Sequence, residues 1–326
     1  MHDTTSVPVA LAPIVAGPAA LAAAIETAKI YAAASKAKNT RRAYSGAWKA
    51  FVAWCQSRGL DALPAAAESV AVYLAERADQ GAKPASLDLY LAAVSEAHRA
   101  AGHPSPRDAA PVRAVRSGIR RTHGTAQQQK APATVDTLRR MIASLPAGVL
   151  GARDAALLLL GFSAALRRSE LVGLDVNDIT FTVEGAIVAL RRSKVDQEGA
   201  GRSVAVPFAS CADVCPVRRL RAWLDVAGIS QGAIFRAVNR HGRVAAERLS
   251  DRAVALVVKR SVEKIGLDAK SFAGHSLRAG LATSAALAGK SERSIMQTTG
   301  HKSVVMVRKY IRTGEIWRDN AAAGLL

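Results

Sequence analysis

Side chains that bind phosphate or move protons gather at four places in this sequence, too far apart for anything but folding to join them. The first is Ala165-Leu166-Arg167-Arg168-Ser169-Glu170-Leu171, an arginine pair at the junction of two helical patterns. The second is Arg191-Arg192-Ser193-Lys194, at the end of a strand pattern and entering a turn that contains Gly199 and Gly201. His275-Ser276-Leu277-Arg278 is the third, and Gly300-His301 with Tyr310 nine residues beyond His301 is the fourth. Guanidinium groups offer forked donors that match phosphate oxygens. Lysine and histidine can give or take protons, and a tyrosine whose pKa of about 10 is countered by nearby cations or a base can act as a nucleophile. Singly, each place has an ordinary explanation: an arginine near a helix start pairs with a carboxylate, and a tyrosine near a chain end packs. Cys211 and Cys215 are spaced like half a metal site, but no nearby His or Cys pair completes it, so no metal and no other cofactor is expected.

The elements that must position these residues fall into two groups. From about Ala20 to Arg121 the pattern is helical, with breaks at Gly59, Pro64, Gly81-Ala82-Lys83-Pro84 and Gly102-His103-Pro104, which reads as a small helical bundle. Its clearest helix follows Asn39 as N-cap, repeats Tyr44, Trp48, Phe51 and Cys55 along one face, and stops at Gly59. Arg41, Arg42 and Lys49 lie among its polar positions and are candidates to meet phosphate. Between Arg113 and Pro132 the chain carries Arg113, Arg116, Arg120, Arg121 and Lys130 around a polar Gln run, which reads as a basic interdomain linker able to let two domains close around a duplex. The second half mixes periods. Helical patterns at about 135–145, 151–166 and 168–174 precede three strands, Ile179–Val183, Ala186–Leu190 and Ser203–Val206. Helices resume near Pro216–Ala227 and Ser250–Ile265 and continue from His275 almost to the end, giving a mainly helical domain with one small antiparallel sheet. The expected division is a flexible tail at 1–20, a helical domain at 21–122, a linker at 123–133 and a second domain at 134–326.

Composition points to a polyanionic partner. The 326 residues carry 45 Lys and Arg against 26 Asp and Glu, a formal charge of +19, and both halves share the excess. Three cysteines, an odd number, in a chain without a signal-like start point to a reducing compartment, the cytoplasm by default. The longest apolar stretch, Ala155 to Leu166, is too short to cross a bilayer as a helix, so no membrane partner is expected.

Taken together and in order, the four places resemble the tyrosine recombinase (phage integrase) family. Its signature is an Arg before Ser-Glu-Leu, a Lys on a β-hairpin, a His-x-x-Arg, a Gly-His, and a Tyr nine residues after that His. Asn39-Thr40-Arg41-Arg42-Ala43-Tyr44 with Trp48 and Phe51 resembles the start of the family's helical core-binding domain. The resemblance implies a mainly α protein: an N-terminal SAM-like core-binding domain joined to an α+β catalytic domain with a small antiparallel sheet. It further implies that Arg167 and Arg278 clamp the non-bridging oxygens and that Lys194 protonates the leaving 5′-oxygen. His275 takes the tyrosyl proton or donates to the phosphate, His301 donates a further hydrogen bond, and Tyr310 attacks, helped by Arg308, Lys309 and Arg312. Glu170 is expected to orient these groups, while Arg191 and Arg192 steady the DNA backbone, as do Arg116, Arg120 and Arg121. Two departures from the pattern are Arg168, at a position often apolar in the family, and Ala279, where many members have a second His; neither removes a catalytic group.

The function implied is that of a site-specific recombinase or integrase, working on double-stranded DNA through a 3′-phosphotyrosine and a Holliday junction. Four copies would assemble in the synaptic complex, with accessory DNA-bending proteins as further partners. The tail after Glu315, with Ile316, Trp317, Leu325 and Leu326, would dock on a neighbouring subunit. With only about twenty residues before the first helix, a simple recombinase or mobile-element integrase is expected. The alternatives are a type IB topoisomerase-like relaxing enzyme, against which Gly300-His301 and the core-binding motif argue, and a non-catalytic DNA-binding accessory protein, which would be expected to lack the nucleophile or an arginine.

Overall fold

The helical and alternating patterns become two units in the computed structural model, Met1–Gln128 and Gln129–Leu326, and each is described by itself. The structure describes residues 19–125, 129–191, 201–301 and 303–315.

The first unit is built from α1 (Ala19–Ala34), α2 (Lys38–Gln56), α3 (Ala67–Asp79), α4 (Pro84–Ala100) and α5 (Ala110–His123). The stripe Trp48, Phe51 and Cys55 of α2 is buried against Tyr73 and Leu74 of α3 and Leu87, Leu91 and Val94 of α4. Phe51 meets Tyr73 edge-on, with ring centroids 5.1 Å apart, the geometry in which aromatic quadrupoles attract. Buried His98 is fixed as a neutral ring: Val94 O lies 2.8 Å from Nδ1, and the Ala65 N–H donates to Nε2 at 2.9 Å. Burial lowers its pKa accordingly.

Two expectations need correcting here. The α2 helix starts at Lys38, with Ala37 as its cap and no side-chain cap bond, so Asn39 lies inside the first turn. The stretch read as linker from Arg113 onward is helical as far as His123, because Val112 is buried in the bundle core with Val115 and Ile119 packed against it. Residues 131 and 133 are also held: Ala131 N–H donates to Ser271 O at 2.8 Å and Ala133 N–H to Ser276 O at 2.9 Å, both within the second unit.

The second unit contains α6 (Val135–Ala143), α7 (Val149–Ser163), α8 (Arg168–Gly173), α9 (Pro216–Val226), α10 (Asp251–Lys264), α11 (His275–Leu287), α12 (Glu292–Thr299) and α13 (Val304–Glu315). The helices expected from His275 onward are three, separated at the left-handed Gly289 and Gly300. Strands β1 (Ile179–Phe181), β2 (Gly185–Leu190) and β3 (Arg202–Pro207) form an antiparallel sheet in sequence order, close to the three strands expected. Alternation sets its register: Ala186, Val188 and Leu190 lie opposite Val206, Val204 and Arg202, and the five apolar members of this face are buried. A further hairpin, β4 (Arg236–Val238) with β5 (Val244–Arg248), had no alternation to announce it. Tertiary bonds hold it, since Arg248 donates to Val172 O and Leu174 O at 2.6 and 3.0 Å. The core is continuous along α7 from Ala156 to Leu160. This mostly helical architecture with a small antiparallel sheet is the fold class expected.

Candidate active site

The site begins where α7 ends. Ala165 adopts φ 50°, a left-handed conformation that costs a non-glycine residue about 1–2 kcal/mol, and its carbonyl accepts a hydrogen bond from Arg278 Nη1 at 2.8 Å. Two residues on, Arg167 caps α8. Glu170 reaches back and accepts from the Arg167 backbone N–H at 2.9 Å and from Arg167 Nη1 at 2.5 Å. One nearly buried carboxylate therefore holds both the backbone and the guanidinium of Arg167. Arg168 takes another direction: a Cβ on Gly274 would lie 2.3 Å from Arg168 Cδ, so the arginine chain runs across that glycine, and Nη2 ends 3.9 Å from Asp251.

Gly274 leads directly into α11, which carries His275 and Arg278 one turn apart. Arg278 is 1 % exposed, and its Nη2 has no hydrogen-bond partner among the described residues. Burial, with help from neighbouring Arg167, pulls the guanidinium well below the ordinary arginine value, down to about 10. It is still charged at neutral pH, a desolvated cation with an unused donor.

Helices α11, α12 and α13 meet around Ala282, Ala286, Ile295 and Val307, and Tyr310 packs at the edge of that cluster. This packing brings the Tyr310 hydroxyl to 2.9 Å from His275 Nε2. The tautomer sets the direction of this bond: a ring protonated on Nδ1 accepts from the phenol at Nε2, and one protonated on Nε2 donates to it. Burial raises the pKa of Tyr310 above 10, and Arg278 and Arg167 pull against that rise.

His301 is 5.8 Å from Tyr310, ring centroid to ring centroid. Thr299 gives its hydroxyl proton to Ile295 O at 2.7 Å and lies 2.8 Å from His301 Nδ1, so it accepts the Nδ1 proton. Burial first, then the cations Arg278 and Arg167, hold the His301 imidazole down at about 4. The ring is neutral at pH 7 and presents a lone pair at Nε2.

The structure thus brings together Arg167, Glu170, His275, Arg278, His301 and Tyr310 from α8, α11, α13 and the turn before α13. Lys194 and Arg192 lie outside the described residues, as do the tail positions Ile316, Trp317, Leu325 and Leu326. Arg191 projects at the sheet end and pairs with buried Asp178 at 2.7 Å. In the first unit Arg41, Arg42 and Lys49 are exposed on α2, and Arg120 and Arg121 are exposed on α5. Arg116, by contrast, donates to Asp88 at 2.6 Å. The positive charge beside Tyr310 differs from the expectation: Arg308 is spent on Glu292 at 2.9 Å, and Arg278 and Arg167 supply the cations. The side chains of Lys309 and Arg312 lie outside the description.

Two site residues had not been singled out. Thr299 orients His301. Arg202, at the start of β3, donates to Thr298 O at 2.9 Å and carries the electrostatic influence of Glu170 and Arg167. Its signal was available: Arg202, Val204 and Val206 are in phase, so an arginine stands on the inward face of a strand. Among the described residues no three His, Cys, Asp or Glu side chains form a metal cluster.

Known proteins are similar to this chain over most of its length. Residues 133–315 match the phage integrase family, and residues 29–103 match the phage integrase N-terminal SAM-like domain. The integrase/recombinase xerD homolog of Selenomonas ruminantium is 45 % identical over 292 residues, 88 % of this chain and 85 % of that protein. Recombinase cre of Escherichia phage P1 is 26 % identical over 284 residues, 81 % of each chain. Among solved structures, a lambda integrase tetramer bound to a Holliday junction shares the fold at 21 % identity and a TM-score of 0.58, over 89 % of this chain and 76 % of that one. With a family match over more than half its length and a relative this similar over most of it, the chain belongs to the phage integrase family.

Proposed function

We propose that this protein, a DNA breaking-and-rejoining enzyme and site-specific recombinase of its family, acts through a covalent 3′-phosphotyrosine at Tyr310. The observation that carries the reading is the Tyr310 hydroxyl, 2.9 Å from His275 Nε2 and within the field of Arg278 and Arg167. The phenol oxygen attacks the scissile phosphorus and its proton passes to His275. Arg167 and the unused Arg278 donor take the non-bridging oxygens, in a water-poor setting where such donors are strongest. The bond from phosphorus to the 5′-oxygen breaks, and Lys194 supplies the proton to that oxygen. His301 starts neutral; the phosphate's negative charge raises its pKa, and the protonated ring then donates from Nε2. Rejoining is the reverse, with a 5′-hydroxyl attacking the tyrosyl ester, so no nucleotide is consumed.

The substrate is double-stranded DNA, bound through basic residues of each unit. Four copies act on two sites through a Holliday junction, with DNA-bending proteins as further partners, in the cytoplasm. No helix among the described residues is long and apolar enough to cross a membrane. The tail after Glu315 couples subunits by docking on a neighbour. A cavity of about 520 Å³ in the second unit, lined by Phe162, Phe208, Val214, Leu281, Ala285 and Ile295, offers an apolar acceptor for it.

Tyr310→Phe tests the reading. On a nicked suicide substrate it should bind DNA normally and form no covalent complex on a denaturing gel; covalent product from the variant places the nucleophile elsewhere.

A further inference from the structure

Arg202 stands out among the charged groups that the reaction does not yet use. It is the first residue of β3, directly after the segment that contains Lys194, and its side chain reaches α12 rather than solvent. Its Nη1 donates to Thr298 O at 2.9 Å, filling one of the carbonyls that a helix end leaves unpaired, where a cation also meets the negative end of the helix dipole. Its Nη2 is buried without a hydrogen-bond partner among the described residues. The next residues are Thr299, which holds His301 Nδ1, and Gly300, which turns the chain at φ 65°. A Cβ on Gly300 would come within 2.8 Å of Arg202 Nε and 2.9 Å of Cζ, so the guanidinium lies directly against that glycine. Glycine is needed twice at this position, for its conformation and for the closeness of Arg202.

We propose that Arg202 is a positioning residue for strand cleavage: by binding the end of α12 and packing on Gly300 it fixes the Gly300–His301 turn, and with it the His301 ring beside Tyr310. Resting on the Tyr310 reading above, the inference adds a link from the strand that follows the Lys194 segment to the turn that carries His301. Displacing a group at a reacting centre by about 1 Å can cost roughly 100-fold in rate, so the link has kinetic weight without touching substrate. It also has an electrostatic signature. Arg278, Arg167, His275 and Arg202 all bear on His301, which also meets Thr299 and Tyr310.

The experiment compares wild type, Arg202→Met, Arg202→Lys and Gly300→Ala in single-turnover cleavage of a suicide substrate, with DNA affinity measured in parallel and the His301 ring titrated by NMR. Arg202→Met should slow cleavage roughly 10- to 100-fold with affinity nearly unchanged, and the His301 pKa should rise because a neighbouring cation is gone. Arg202→Lys, which retains the charge and one donor to Thr298 O, should recover part of the rate and keep the His301 titration near the wild-type value. Gly300→Ala should slow cleavage by itself but add less in the Arg202→Met background, where its Cβ no longer meets a guanidinium. Wild-type cleavage by Arg202→Met, an unmoved His301 titration, or fully multiplicative effects of the two changes overturns the proposal. Tyr310→Phe keeps the outcomes separate: covalent product from that variant defeats the underlying reading, whereas an inert Tyr310→Phe beside a fully active Arg202→Met defeats only the role of Arg202.

Discussion

Arg278→Met should abolish cleavage and yet make the DNA-free protein more stable. Arg278 is 1 % exposed, gives one hydrogen bond to Ala165 O, and has Nη2 unpartnered. The fall of its pKa from the ordinary arginine value to about 10 corresponds to about 3 kcal/mol at 1.36 kcal/mol per pKa unit. That is the cost of keeping the cation in its site. Because the folded pKa lies below the unfolded one and both lie above 7, the cation is present in both states at neutral pH and the full cost is felt. It shrinks only as pH rises from about 10 towards the ordinary arginine value. Methionine removes the cost but strands the Ala165 carbonyl, which returns about 1–2 kcal/mol. The net gain is about 1–2 kcal/mol, or roughly 2–8 °C in Tm for a folding unit of this size. Thermal unfolding of both proteins between pH 6 and 9 should show this increment unchanged across the range, and adding target DNA should stabilise the wild type by more. A satisfied buried arginine behaves oppositely, losing about 3–5 kcal/mol on removal. A clear drop in Tm for Arg278→Met would therefore refute the reasoning that its unused donor and desolvated charge are held ready for an anion.

Lys194→Ala should be slow on ordinary DNA and largely rescued when sulfur replaces the 5′-bridging oxygen, since that leaving group needs no proton; Arg167→Ala should not be rescued, and equal rescue of both would break the assignment of roles. Arg120→Gln and Arg121→Gln should each flatten the plot of log affinity against log salt by about one unit. Arg116→Gln, whose guanidinium is committed to Asp88, should barely change that slope, and a loss equal to the others would show that the ion pair opens on DNA. Deleting Ala321 to Leu326 should spare single-site binding while impairing two-site synapsis; full synapsis and recombination by the truncated protein would remove the tail from subunit coupling.

Local chemistry was legible in the sequence wherever one residue type decides the matter. Arg167 before Ser-Glu-Leu, His275 with Arg278 three residues on, and Tyr310 nine after His301 carry their spacing in the chain itself. Periodicity likewise announced the buried face of α2 and the three-stranded sheet, because side chains must alternate or recur to bury one face. Other features depended on partners remote in sequence. The basic run from Arg113 was indistinguishable from a linker until Val112, Val115 and Ile119 found the bundle core. Arg308, next but one to the tyrosine, was drawn away by Glu292 of α12, while Arg278, more than thirty residues distant, became the cation at the phenol. The neutrality of His301 and the role of Thr299 follow from burial and from a hydroxyl that donates to Ile295 O while accepting from His301 Nδ1, which no pattern encodes. Arg202 shows the division most clearly: its inward phase was written in β3, but its reach to Thr298 and Gly300 exists only because the strand and the end of α12 are packed side by side. The sequence by itself determined which groups could do phosphate chemistry and which faces had to be buried. Tertiary packing decided which charges meet and which are desolvated, because electrostatic strength and pKa depend on three-dimensional neighbours and on excluded water.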